Sequence, residues 1–262
     1  GLGRGQQVGY VMSGGPERAA LWNGTAESMV DLHPVGAYTS FAAATDGVQQ
    51  VGWTTGGGGY NAVMWTGSSG SCIVLSPPGS TQAEARSVAH GVQVGYARIS
   101  NSPRASLWRG SAASWMNLQP PAATQSFALG TDGRQQVGRV LADGVWRASK
   151  WEGIAETWVD LHPAASEFTS SEAVAAWGGM QVGYVAGSGL RASLWYGSSA
   201  SRVDLSQFLP TDIRYWSIAT DIAPDGANVR ISGYCIHRPS SRWMAVVWTL
   251  PRCVGDVDDD GD

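Results

Sequence analysis

Gln7-Val8-Gly9-Tyr10, then Arg18-Ala19-Ala20-Leu21-Trp22-Asn23-Gly24, then Val30-Asp31-Leu32-His33-Pro34: this phrase recurs along the chain, and its reading decides the fold. The tryptophan returns at Trp65, Trp108, Trp151, Trp195 and Trp248, in steps of 43, 43, 43, 44 and 53 residues. The glycine keeps similar time at Gly52, Gly95, Gly138, Gly183 and Gly233. A period in the forties, with several short strand signals in each copy, marks small sheets repeated around an axis.

Each copy divides into four stretches. The first is small and apolar, as in Ser40-Phe41-Ala42-Ala43-Ala44, Ser87-Val88-Ala89 and Glu172-Ala173-Val174-Ala175. It closes on a turn dipeptide such as Asp46-Gly47, His90-Gly91 or Asp132-Gly133, whose residues accept the positive φ of a tight hairpin. The second holds the Val-Gly step, where a glycine inside a strand signals close approach of a backbone or a ring. The repeat tryptophan is the expected ring. The third, Arg-Ala-x-Leu-Trp, alternates as a half-buried strand does. The fourth ends in proline, which suits an edge strand that needs no ladder donor.

The expectation is an all-β protein, a β-propeller of six blades with four short antiparallel strands each, spanning residues 1–253. Small side chains place the first stretch innermost, and the proline places the fourth outermost. The first copy lacks most of its inner strand and the last has no clear outer one. An open solenoid of the same repeats would leave two unpaired faces at its ends.

Charge and composition exclude several classes. Formal net charge is −4, and five of the acids lie in the last seven residues; without them the balance is +1. No basic stripe suited to nucleic acid appears. No apolar run approaches the roughly 18 residues of a spanning helix. Cys72 reads as a small buried apolar residue. Cys235 and Cys253 flank the last hairpin, but its register sets Cys235 opposite about position 245 and Cys253 level with about position 227, which disfavours a disulfide.

Ser-x-Ala, Asp-Gly-x-Gln-Gln-Val-Gly-Tyr, Arg-Ala-x-Leu-Trp and Val-Asp-Leu together resemble the extracellular HAF-type repeats of bacterial surface proteins. The likeness covers nearly all of residues 7–250, with Arg where that family carries His. It implies an exported or cell-surface protein and no common reaction. The chain begins at Gly1, which we read as a processed or trimmed product. Residues 254–262 form an acidic segment in which Asp256-Val257-Asp258-Asp259-Asp260-Gly261-Asp262 matches the opening of an EF-hand loop. This resembles the start of a dockerin-like module. Asp256, Asp258 and Asp260 are its expected calcium ligands in a longer parent protein, with an anchoring partner implied. No cofactor is expected for the propeller.

Candidate ligand-binding residues are the arginine column Arg18, Arg104, Arg147 and Arg191, interrupted once by Asn61. Tryptophans that the repeat does not demand join them, chiefly Trp53, Trp146 and Trp243, with Trp115, Trp158, Trp177 and Trp216. Exposed aromatics stack on sugars and anchor interfaces. His33 and His162 repeat before proline, and no His/Cys/Asp spacing suits zinc. The Gly56-Gly57-Gly58-Gly59 run reads as a hairpin loop. The sequence supports a non-catalytic binding or scaffold domain that holds a protein or glycan on one face of the ring. A lectin-like propeller is the first alternative. The second is a glycoside hydrolase, for which the unrepeated acids Glu84, Glu167, Glu172 and Asp212 would be needed.

Overall fold

A computed structural model describes residues 1–252 apart from Arg4, Ser13, Gly58, Arg214, Tyr215, Arg238 and Pro239. The strands fall into six antiparallel meanders, the blades of a β-propeller. Blade 1 holds β1 (Leu2–Gly3), β2 (Gln6–Val11), β3 (Arg18–Trp22) and β4 (Val30–Asp31). Blade 2 holds β5 (Thr39–Thr45), β6 (Gln50–Gly56), β7 (Gly59–Trp65) and β8 (Ile73–Val74). Blade 3 holds β9 (Gln82–Ala89), β10 (Val92–Ile99), β11 (Ser102–Trp108) and β12 (Met116–Asn117). Blade 4 holds β13 (Gln125–Thr131), β14 (Gln136–Ala142), β15 (Val145–Trp151) and β16 (Val159–Asp160). Blade 5 holds β17 (Ser170–Trp177), β18 (Met180–Ala186), β19 (Leu190–Trp195) and β20 (Val203–Asp204). Blade 6 has three strands among the described residues, β21 (Ser217–Asp225), β22 (Asn228–His237) and β23 (Arg242–Pro251). The inner strands β5, β9, β13, β17 and β21 each touch the next, which places the Ala/Ser-rich stretches at the axis.

The core is a series of like seams. Val8, Ala19, Leu21 and Leu32 of blade 1 pack on Ala42, Val63 and Trp65 of blade 2. Equivalent positions recur between blades 3 and 4, where Val94, Ala105, Leu107 and Leu118 meet Ala128 and Trp151, with Val140 of the second strand beside them. Trp65, Trp108, Trp151 and Trp195 are fully buried. At 150–250 Å² per ring, burial contributes roughly 4–6 kcal/mol of transfer free energy each, before entropy.

The glycine of the Val-Gly step meets the expected indole in blade 1, where a Cβ on Gly9 would lie 3.7 Å from the Trp22 ring, but answers to a backbone in blades 2 to 5. A Cβ on Gly52, Gly95, Gly138 or Gly183 would lie 1.8, 1.9, 1.9 or 2.0 Å from the carbonyl oxygen of Phe41, Glu84, Phe127 or Glu172. Those carbonyls belong to the neighbouring inner strand, which is out of simple register there. Gly233 alone among these is also crowded by its tryptophan, at 2.8 Å from the Trp248 ring.

Polar side chains lock blade to blade. Within their own blades, Gln50, Gln93, Gln136 and Gln181 accept the N–H of Gly67, Gly110, Gly153 and Gly197 at 2.7–2.8 Å. The amide of Gln93 donates back to Gln49 of blade 2, and that of Gln181 to Gln135 of blade 4, each at 2.7 Å. Across the seams, Ser40, Ser126 and Ser171 accept the N–H of Ala19, Ala105 and Ala148 at 2.8–2.9 Å. The connection from third to fourth strand is a 3-10 turn in blades 1 to 5. Its closing hydroxyl accepts an N–H five residues back, as Ser114 does from Arg109 at 2.8 Å.

Among the described residues, the seam between blades 6 and 1 is open. Val182, Ala192 and Leu194 of blade 5 are buried against blade 6, but Ala245 and Val247, which hold the last two positions in blade 6, are exposed, Val247 to 61%. Trp22 is only half-buried, unlike its fully buried copies. The expected hairpin register holds as far as described: Cys235 pairs with Met244, and Arg252 donates its N–H to Ala227. Cys253 lies outside the described residues. Cys72 packs half-buried at the seam of blades 1 and 2, where burial raises its thiol to about 11.

Candidate functional site

One end of the ring carries the hairpins between second and third strands, and the candidate side chains gather there. The arginine column opens each third strand at this end, where it meets the fourth strand of its own blade. Arg147 pairs with Asp160 at 2.8 Å, Arg191 with Asp204 at 3.5 Å, and Arg18 with Asp31. The same aspartates accept a main-chain N–H two residues on, as Asp160 does from His162 at 2.8 Å. In blade 3, Asn117 takes the aspartate's register position across from the strand of Arg104. In blade 2 both partners are replaced, by Asn61 and Val74.

Asp, His and Ser lie close at two seams, and their geometry decides their role. His33 and His162 meet Ser40 and Ser171 through Nδ1 at 2.8 Å. The carboxylates bond the histidines' main chain and not their rings, and both serines are buried and already accept a main-chain N–H. These are staples between blades. Burial pushes the His162 imidazole below its ordinary value.

Trp53, Trp146 and Trp243 lie at the same end in three different blades, whereas Trp177 sits at the first-to-second-strand hairpin of blade 5, at the opposite end. Trp53 stacks on Phe41 with ring centroids 5.1 Å apart, Tyr10 meets Phe41 edge-on at 5.1 Å, and Arg86 lies over Trp53 at 4.8 Å. Trp146 carries Arg139 at 4.5 Å, and Arg139 reaches Glu172 of blade 5 at 2.8 Å. Trp243 is 65% exposed, with Tyr234 edge-on at 5.1 Å. Trp146 and Trp243 share a register position with Tyr60, Pro103 and Leu190, so aromatics alternate with other residues around that rim. Trp115 and Trp158 are half-buried and donate to Ser106 and Ser149 at 2.9 Å, which makes them part of the scaffold.

Inside this rim runs an alternation that sequence reasoning missed. Phe41, Glu84, Phe127 and Glu172 occupy one register position of successive inner strands, opposite Trp53, Tyr96, Arg139 and Tyr184. Aligning Ala83-Glu84-Ala85 with the Phe41 step, in place of Ser87-Val88-Ala89, would have found it. Glu84 accepts the Tyr96 hydroxyl at 2.8 Å and pairs with Arg86. Burial raises the Glu172 carboxyl, and Arg139 partly holds it down. Burial and the Glu84 acceptor push the Tyr96 phenol well above its ordinary range.

Between blades 1, 2 and 3 at the same end lies an open groove of about 700 Å³, lined by Glu17, Tyr38, Phe41, Thr55, Tyr60 and Gln82 over the glycines of the blade-2 hairpin. Of these, sequence reasoning had singled out none as a site residue. A smaller cleft of about 320 Å³ at the opposite end is lined by Asp46, Gln49 and His90. Among the described residues no group of acids, histidines and cysteines could hold a metal. Asp256, Asp258 and Asp260 lie outside the described residues. No described helix is long and apolar enough to cross a membrane.

The chain matches no family model, and no curated protein matches it. Its fold has solved counterparts. TolB from Acinetobacter baumannii superposes with a TM-score of 0.53 at 11% identity, over 93% of this chain and 64% of that one. A structure of a nidogen/laminin complex gives 0.52 at 9% identity over 94% of both chains. Puromycin hydrolase gives 0.53 at 12% identity over 89% of this chain and 41% of that one. The chain thus spans less than two thirds of the TolB and puromycin hydrolase chains. At these identities the shared property is the propeller fold.

Proposed function

We propose that this is a non-catalytic binding propeller of an exported or cell-surface protein, and that its ligand docks on the end carrying the second-to-third-strand hairpins. One observation carries the reading: Tyr60, Trp146 and Trp243, rim side chains that the repeat does not demand, are aromatic and share one register position at that end, while repeated residues such as Arg147 and Trp151 are engaged in pairs and seams. Tyr60, Trp146 and Trp243 stand at intervals around a rigid rim, a layout suited to a broad partner. The hydrolase reading would rest on Glu84 and Glu172, and each of these carries an arginine within ion-pair distance. The resemblance to HAF-type repeats supports the extracellular setting. The dockerin-like tail supports a calcium-dependent anchoring module in the parent protein.

The test is binding by surface plasmon resonance to arrays of purified extracellular proteins and glycans. Signals that survive His90→Ala at the opposite end and vanish with the Tyr60→Ala, Trp146→Ala, Trp243→Ala triple variant support the reading. Glycoside turnover abolished by Glu172→Gln would replace it with the hydrolase.

A further inference from the structure

We infer that the groove on blade 2 is a saccharide subsite; this rests on the binding reading above and names its ligand class. The first ground is where the repeat is broken. Tyr38 donates its N–H to Thr55, as Thr81, Thr124 and Thr169 donate theirs to Arg98, Leu141 and Ala186 in blades 3, 4 and 5. Blade 2 therefore puts tyrosine where three copies have threonine, and that tyrosine is 70% exposed. Tyr60 pairs with Thr55 from the other side and is 41% exposed. The fold needs neither ring.

The second ground is spacing. Tyr38 and Tyr60 flank Thr55 on adjacent chain segments, so their backbones stand about two strand spacings, roughly 10 Å, apart. Two rings at that distance form platforms that a disaccharide unit bridges. The hairpin between them carries Gly56 and Gly57, with φ of 153° and 59°, and brings no side chain that would fill the groove.

The third ground is the polar complement. The Glu17 carboxylate on the groove wall supplies acceptors only. Gln82 accepts from Arg98 Nε at 3.2 Å, which leaves its amide hydrogens to donate. The two phenols add groups that both donate and accept. Thr55 Oγ1 is occupied by Thr39, through the main-chain N–H at 3.1 Å and the hydroxyl at 2.6 Å, and holds the floor in place. Aromatic platforms with mixed donors and acceptors match a ligand of apolar faces and hydroxyl edges. A basic peptide side chain would want acceptors alone, and Arg98 beside Gln82 opposes it.

The experiment is a glycan array of neutral and acidic oligosaccharides, followed by titration of each hit with tryptophan fluorescence, which reports through Trp53 beside Phe41. We expect at least one hit, with affinity reduced about tenfold or more by Tyr38→Ala and by Tyr60→Ala, the loss of roughly one stacked ring each. His90→Ala, in the cleft at the opposite end, should leave that affinity unchanged. Circular dichroism on the variants checks that they fold. Silence across the array, or hits insensitive to both tyrosine changes, overturns the subsite. If a protein ligand still binds and is lost in the Trp146→Ala, Trp243→Ala variant, the binding reading stands without it. Protein binding lost with Tyr38→Ala, with no glycan hit, assigns the groove to a peptide and overturns the saccharide.

Discussion

Blades 2 and 5 are written in the same phrase and differ where it counts. In blade 5, Arg191 pairs with Asp204, Thr169 opens the inner strand, and Leu190 takes the rim. At its seam to blade 6, Ser217 accepts the Ala192 N–H at 3.1 Å. In blade 2 the ion pair has become Asn61 and Val74, the threonine Tyr38, and the rim residue Tyr60. At its seam to blade 3, Ala83 replaces the stapling serine, and Ser76 of blade 2 accepts the Ala62 N–H instead, at 3.1 Å. Both blades keep the buried tryptophan and the crowded glycine. Copies that agree describe what holds the ring together, and the copy that departs marks where it meets something else.

The comparison breaks if a core position in blade 5 and a part-exposed aromatic position in blade 2 respond alike. Trp195→Ala should cost about 3–5 kcal/mol in chemical denaturation, through lost burial and the cavity left behind. Trp53→Ala, removing a stacked ring at the rim, should cost about 1 kcal/mol. Gly183→Ala comes next. Its Cβ would meet the Glu172 carbonyl at 2.0 Å, and a main-chain atom cannot swing aside, so about 1–3 kcal/mol or more is expected, read as a lowered Tm.

A third test uses pH. Burial depresses the His162 pKa below its unfolded value of about 6.5. Between the two values the unfolded chain binds the extra proton. Stability is therefore full above the unfolded pKa and falls as pH drops through it toward the folded one. Gln119 fills the same position in blade 3 and receives the Ser126 hydroxyl at 3.3 Å. His162→Gln should thus keep the staple and flatten the acid limb of the stability profile; an unchanged limb would place the titration elsewhere.

The smallest effect should come from restoring the consensus pair in blade 2. Asn61→Arg with Val74→Asp should change stability by about 0–1 kcal/mol, because the parallel pairs are part-exposed.

The ring was legible in the sequence because its signals are local. Asp46-Gly47 fixes a turn without knowing its neighbours, and the tryptophan period counts the blades. What escaped depends on register between strands. Glu84 looked unrepeated until its pairing with Tyr96 set it in the row of Phe41, Phe127 and Glu172. The glycine's neighbour was misjudged because the offset in the inner strand, which drives a carbonyl onto it, leaves no mark in composition. Tyr38 and Tyr60 lie 22 residues apart, and only the strand order sets them on either side of Thr55.

Among the described residues the flanks of blades 1 and 6 stay uncovered, as in a split washer. Fraying can start at either lip and travel inward one sheet at a time, since each blade is braced only by its neighbours. Amide hydrogen exchange should then be slowest in blades 3 and 4 and quicken toward both lips, a gradient that a latched ring would not show.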